Sequence, residues 1–273
     1  MTNVLCIPHG GGPLPLLGDP AHAEMVDYLE RVPNEISRPD AIVLISAHWE
    51  TTHPTLTSGP SPELIYDYGG FPPETYALRY PAPGSPDLAA DVATMLSAAG
   101  FEPQLDPDRG FDHGMFVPLM LMYPDASIPV VQLSMLSSLD AEAHIAMGEA
   151  LTPLAERNVL VLGSGFTFHN MSAFNIGAPP GDPDTPNPDL KNEAFEQWLR
   201  ETCTSTDLTE DERRDRLVRW SEAPGARWSH PREEHLLPLH VCYGAGGGAA
   251  TQAFDGIVLG KRSSGYSWST ATG

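Results

Sequence analysis

The feature that most constrains this chain is a set of short apolar runs rich in β-branched residues, at 4–8, 41–47 (AIVLISA), 129–133 (PVVQL), 159–162 (VLVL) and 256–259. Each is too short for a helix and reads as a buried strand. Between them lie helical patterns at 21–31, 86–99, 140–156 and 190–202. Pro86 near the start and Gly100 just past the end of the second mark a helix start and stop. Strands interleaved with helices predict an α/β layered fold. Two stretches fit neither pattern. Residues 59–84 are rich in proline, glycine and tyrosine, and residues 171–188 (MSAFNIGAPPGDPDTPNP) read as a long loop. Loops of that length in small domains are most often functional lids or disordered segments. No second core is visible, so residues 1–273 are expected to form one domain.

No apolar run reaches the roughly 18 residues that a membrane-spanning helix requires. The first residues, MTNVLC, lack the basic segment and cleavage site of a signal peptide. Cys6, Cys203 and Cys242 are far apart and odd in number, which predicts neither a disulfide framework nor a CxxC site. A cytoplasmic location is the expectation. Charge narrows the partners further. Thirty-six acidic against fifteen basic residues leave a formal net charge of −21, and only Lys191 and Lys261 are lysines. Such a surface repels phosphate backbones and anionic headgroups, so neither nucleic acid nor a membrane surface is an expected partner. The acidity serves solubility or, on a sharper reading, adaptation to high salt, where it is screened.

Against the predicted strands, three histidines take related positions. His9 follows the first strand and opens PHGGGP; His48 ends the second in SAHWE; His169 lies just beyond the fourth in GSGFTFHN. The C-terminal strand edge of an open α/β sheet is where leaving loops form a ligand crevice. The glycines after His9 would let backbone approach a bound group closely, and each of the three has glycine, serine or asparagine nearby in place of solvating charge. A lone histidine at a strand end is ordinarily a surface or hydrogen-bonded residue, and His22, His53 and His144 are read that way. A fourth cluster is HPREEHLLPLH, from His230 to His240. On an ordinary reading it is the first turn of a helix, which would set Glu234 and His235 about 100° apart. One of the two would then ligate a metal and the other support it or face solvent. Two histidines with a carboxylate form the facial triad of Fe(II) oxygenases, and three histidines suit iron or a catalytic zinc. Residue types alone leave that choice open.

PHGGGP, SAHWE, YDYGGFPPETYALRYPAP (66–83), GFDHG (110–114), GSGFTFHN and HPREEHLLPLH occur in this order, from His9 to the SSGY tail. In this the chain resembles the DOPA-dioxygenase type of class III extradiol ring-cleavage dioxygenases over nearly its whole length. The resemblance implies one α/β domain with a central, mostly parallel or mixed sheet flanked by helices, and an active site at the C-terminal strand edge. It implies Fe(II) for activity, with zinc often found in purified protein, and a catechol (DOPA- or caffeate-like) and O₂ as substrates. Matched by motif, the metal ligands are His9, His48 and His235, with Glu234 a lesser alternative because the wider superfamily uses a glutamate there. His169 matches an acid–base histidine and His113 a second active-site histidine, for which the ordinary reading is a turn residue paired with Asp112. Tyr76, Arg79 and Tyr266 are expected to contact the substrate, although Arg79 reads equally well as a surface ion-pair residue. Phe166 and Phe168 depart from the small or β-branched residues commoner in relatives, which bears on pocket shape. Two other classes stay open: a zinc hydrolase using the same histidines, and a non-catalytic metal-binding relative. A homo-oligomer is compatible with the sequence but not read from it.

Overall fold

A computed structural model describes residues 2–174 and 189–269. In chain order these form β1 (Thr2–Pro8), α1 (Ala23–Arg31), β2 (Ala41–Thr51), β3 (Thr55–Thr57), α2 (Pro86–Ala98) and β4 (Gln104–Asp106). There follow α3 (His113–Met122), β5 (Val130–Leu136), α4 (Ala141–Ala150), β6 (Val159–Gly165), α5 (Leu190–Thr204) and α6 (Glu210–Val218). The chain continues through α7 (Ala226–Ser229), α8 (Leu237–Gly246), β7 (Thr251–Val258) and β8 (Lys261–Ser269). Most of the expected loop at 171–188 lies outside the described residues.

One eight-stranded sheet runs β4-β3-β5-β2-β6-β1-β8-β7. Its centre, β5-β2-β6-β1, is parallel, with Ile42 opposite both Val130 and Leu160, and Val4 opposite Val161. The outer strands β3 and β8 pair antiparallel to this centre, so the sheet is mixed. Both of its faces are covered, which is why the four central runs are continuously apolar. Alternate residues serve opposite cores. Val43, Ile45, Val131 and Val161 pack with α2, α4, α5 and α8, whereas Ile42, Leu44, Val130 and Leu160 pack with α1 and α3. Helices α4 and α8 touch backbone to backbone. A Cβ on Gly148 would strike the Val241 carbonyl, and one on Gly244 the Ile145 carbonyl.

The departures from sequence expectation have local causes. The helix expected over 140–156 ends at Ala150 and continues as a 3₁₀ turn, Thr152–Arg157, because Pro153 cannot donate to the helical ladder. Helix α3 is buried on nearly all sides and carries Pro118, so no amphipathic period announces it. The run at 256–259 belongs to β7, an edge strand with an alternating exposed and buried pattern. No helix among the described residues is long and apolar enough to cross a membrane.

Two kinds of buried titratable group give the fold opposite responses to pH. Burial holds His230 near a pKa of about 3 and His240 near about 4, against an ordinary 6.5. The stability they contribute is complete above 6.5 and is lost as pH falls through those values. Glu196 on α5 is pushed by burial from 4.5 to about 7. Its contribution is complete below 4.5 and is lost as pH rises through about 7. Glu196→Gln cannot ionise, so it is expected to be more stable than the parent at pH 8 by on the order of 2 kcal/mol and nearly equal to it at pH 5. Denaturant unfolding at the two pH values measures this, and an equal difference at both would contradict it.

Candidate metal centre

Five elements deliver histidines to one place at the C-terminal edge of the parallel strands. His9 leaves β1 into a turn where Gly10 has φ +85°, and a Cβ on Gly10 would collide with Pro15. His22 holds this turn by accepting from the Gly11 N–H at 3.0 Å while its Nδ1 meets Asp19 at 2.6 Å. It is structural, as expected. His48 does not end its strand, because β2 runs on to Thr51, and the register against β5 breaks between Ile45 and Glu50. Such an irregularity re-aims side chains. His113 is the first residue of α3, and the His169 N–H bonds the Ser229 carbonyl at 2.8 Å.

His235 comes from a turn and not from a helix. Residues 231–236 precede α8, whose start is set by Pro238 near its N-terminus, so the expected 100° separation of Glu234 and His235 does not apply. The Phe166 N–H bonds the His235 carbonyl at 2.8 Å, tying this turn to the end of β6. Arg232 grips both oxygens of Glu50 at 2.6 Å each, joining it to the end of β2.

Ring centres of His9, His48 and His235 lie 4.9 Å (9–48), 5.4 Å (9–235) and 4.9 Å (48–235) apart. His113 packs on His48 at 3.9 Å, and His169 stacks on His235 at 3.3 Å with 14° between planes. Oxygen atoms face the outward nitrogens. His9 Nδ1 meets Ser164 Oγ at 3.1 Å, and because Ser164 donates to the Gly114 carbonyl its oxygen accepts from His9. Glu234 Oε1 lies 3.2 Å from Nδ1 of both His169 and His235. Asp67 Oδ1 lies 2.8 Å from His113 Nδ1, and its other oxygen 3.8 Å from His48 Nδ1. A carboxylate only accepts, so the rings it holds carry their proton on Nδ1 and keep Nε2 as a lone pair. Burial would raise both acids. The hydrogen bonds from His113 hold Asp67 below its ordinary value, and those from His169 and His235 hold Glu234 well below.

This donor set fits a metal ion. His9 Nε2 and His48 Nε2 face each other at 3.0 Å, an arrangement that calls for a cation or a proton between two lone pairs. Burial first, then the neighbouring imidazoles, lowers His9 and His48 well below 6.5, and His235 to about 3. The rings are therefore neutral at pH 7, the form that ligates. A metal–nitrogen distance of about 2.0–2.1 Å puts each ring centre about 3 Å from the ion, and two ligands at 90–110° then lie roughly 4.5–5 Å apart. The His9, His48 and His235 spacings are close to that. Measured at the ligand atoms, His9, His48 and His113 lie within 4.8 Å of one another, and so do His169, Glu234 and His235, so the described residues offer two adjoining groups of donors.

Aromatic rings wall the cluster. Phe166 sits 5.6 Å from His9, Phe174 6.2 Å from His169, and Tyr68 5.7 Å from His113. Among the described residues, Tyr76 is linked to the histidines through Tyr68, 5.4 Å away. Arg79 is exposed and has no ion pair among the described residues. The expectation for Tyr266 changes. Its side chain, on the β8 face that packs against α5, is fully buried in the core with Trp268 and Cys203, because alternation along β8 turns it to that face. His113 does not pair with Asp112, which instead accepts from Ser46, Arg109 and Gln132. His53 is a surface residue beside Glu102, and His144 accepts from the Leu136 N–H. Asp67, Ser164, Tyr68 and Phe174 were not foreseen as site residues. Asp67 lies in a quoted motif, but nothing in its spacing shows that it meets His113 46 positions on.

The fold and the donors define a metal-binding α/β domain whose site lies at the C-terminal strand edge. Residues 4–264 match the family described as the catalytic LigB subunit of aromatic ring-opening dioxygenase. The chain is 43% identical over 256 residues to the dioxygenase tasH of Hapsidospora irregularis, covering 90% of this chain and 78% of that one. It is 42% identical over 212 residues to a 4,5-DOPA dioxygenase extradiol of Beta vulgaris, covering 77% and 74%. A crystal structure of an uncharacterized protein from Escherichia coli K12 superposes with a TM-score of 0.78 at 31% identity, over 98% of this chain and all of that one. The chain belongs to the LigB family of class III extradiol dioxygenases and is an aromatic ring-opening dioxygenase, with a small molecule and O₂ as substrates.

Proposed function

We propose that His9, His48 and His235 hold one Fe(II), and that the enzyme opens the ring of a DOPA- or caffeate-like catechol. The observation that carries this reading is the three-way spacing of 4.9–5.4 Å among those rings, with oxygens behind His9 and His235 that leave Nε2 free. Bound there, the metal supplies Lewis acidity toward the catechol oxygens and the one-electron chemistry that reaction with O₂ needs. Overall, a ring carbon–carbon bond beside a hydroxyl-bearing carbon breaks and both oxygen atoms enter the product.

The protein's own groups orient the substrate and move protons. Phe166 and Phe174 on one side and Tyr68 on the other offer apolar faces to a flat ring. His169, its Nδ1 tied to Glu234, has Nε2 free to take a proton from a substrate hydroxyl and return it when the oxygen–oxygen bond breaks. His113, its Nδ1 held by Asp67, presents Nε2 to the substrate. While neutral it accepts from a substrate hydroxyl, and only once protonated can it donate to O₂ or a substrate oxyanion. Glu234 positions His169 and His235 together and is not itself a ligand. Tyr76 and Arg79 stand at the substrate's outer end. We take the enzyme to act in the cytoplasm, as one domain.

Anaerobic loading with Fe(II), followed by O₂ uptake and yellow-product absorbance across a panel of catechols, tests the assignment. One O₂ consumed per ring opened, with Fe(II) and not with zinc, is the expected result. Activity with zinc and without O₂ would instead establish a hydrolase.

A further inference from the structure

One oxygen of Asp67 makes two contacts to His113, which together fix both its ring and its backbone. Oδ1 lies 3.0 Å from the His113 backbone N–H and 2.8 Å from His113 Nδ1. The first contact satisfies an N–H at the start of α3 that has no partner within the helix. The second, to an acceptor-only group, places the ring proton on Nδ1. Asp67 is delivered rigidly. The Ile65 N–H bonds the Phe111 carbonyl and the Phe111 N–H bonds the Glu63 carbonyl, so 63–65 runs beside the residues that lead into α3. On either side of Asp67, Tyr66 and Tyr68 donate their hydroxyls to the carbonyls of Leu78 and Thr75. His113 itself is boxed by His48 at 3.9 Å, His9 at 5.6 Å and Tyr68 at 5.7 Å, and is 5% exposed.

We propose that Asp67 is a positioning residue that fixes the His113 imidazole as its Nδ1–H tautomer, so that an unprotonated Nε2 faces the pocket as a hydrogen-bond acceptor. His113 would then receive a proton from a substrate hydroxyl or protonated oxygen species, and would not donate one while neutral. Nothing else on the described residues supplies this: the rings around His113 pack against it, and Asp112 faces away toward Ser46 and Gln132. The inference rests on the reading of His113 as an active-site group, but the tautomer is measurable without turnover.

The test is long-range ¹H–¹⁵N correlation on the ¹⁵N-labelled, zinc-loaded full chain, with His113→Gln used only to assign the resonance. The parent is expected to show a protonated Nδ1 at His113. Asp67→Ala should shift the ring toward the Nε2–H form, the one free imidazole prefers. Asp67→Asn keeps an oxygen for the helix N–H and should give a smaller shift in the same direction, which keeps the test valid if the alanine variant does not fold. In the iron-loaded enzyme, kcat should fall about 10–100-fold in either variant with metal stoichiometry retained. A parent His113 protonated on Nε2, or the same tautomer in parent and both variants, overturns the proposal. Failure of ring opening in the parent, with the tautomer shift present, would overturn the proposed reaction and leave the role of Asp67 standing.

Discussion

His235→Ala is expected to empty the metal centre and abolish turnover, whereas His113→Ala keeps the metal. The two rings are about equally near His9, at 5.4 and 5.6 Å, so proximity to that ligand does not separate them. Their relation to His48 does. His235 stands 4.9 Å from it at 82°, within the ring spacing expected of co-ligands, whereas His113 lies over it at 3.9 Å and 44°, nearer than that spacing although its ligand atom is within 4.8 Å of those of His9 and His48. Loss of a ligand should weaken metal binding by more than roughly 100-fold, the upper end of the effect of removing a supporting group behind one. His9→Ala and His48→Ala should behave like His235→Ala. Metal content after dialysis, read beside O₂ uptake, decides it. A metal-replete His235→Ala enzyme would move the third ligand to His113.

The second large effect belongs to His169→Ala, expected to lower turnover by about 10²–10⁴ while iron stays bound. His169 lies flat on His235 at 3.3 Å and shares its carboxylate, Glu234, which sets it beside the proposed ligand. The variant leaves the Glu234 bond to His235 in place, which is why metal retention is the expected companion result. Single-turnover measurement under O₂ should show slow product formation from a catechol that still binds. Normal turnover would remove the proton-transfer role, and loss of iron would make His169 a ligand.

Much of the fold was legible because central parallel strands buried on both faces must be continuously apolar, and 4–8, 41–47, 129–133 and 159–162 are. Helix α3 and the short strands β3 and β4 were not legible. An all-apolar helix has no period, and three-residue strands carry no pattern. The histidines His9, His48 and His169 could be placed at a sheet edge from strand position alone, the HPREEHLLPLH cluster offered Glu234 or His235, and family resemblance preferred His235 and added His113. Tyr266 was misplaced because a motif match does not tell which face of β8 a side chain takes; the pairing of Tyr266 with Cys6 and Gln252 does.

By itself the sequence determined which residue types are present, which runs must be buried strands, and that several histidines gather where strands end. Those properties are local, set by composition and by periods of two or a few residues. Only the tertiary structure decided which nitrogen of His9, His113 and His169 faces inward. That choice depends on oxygens brought from 46 to 155 positions away: Asp67 behind His113, Glu234 behind His169, Ser164 behind His9. A side chain's tautomer is set by what stands behind it in space, and chain separation carries no record of that.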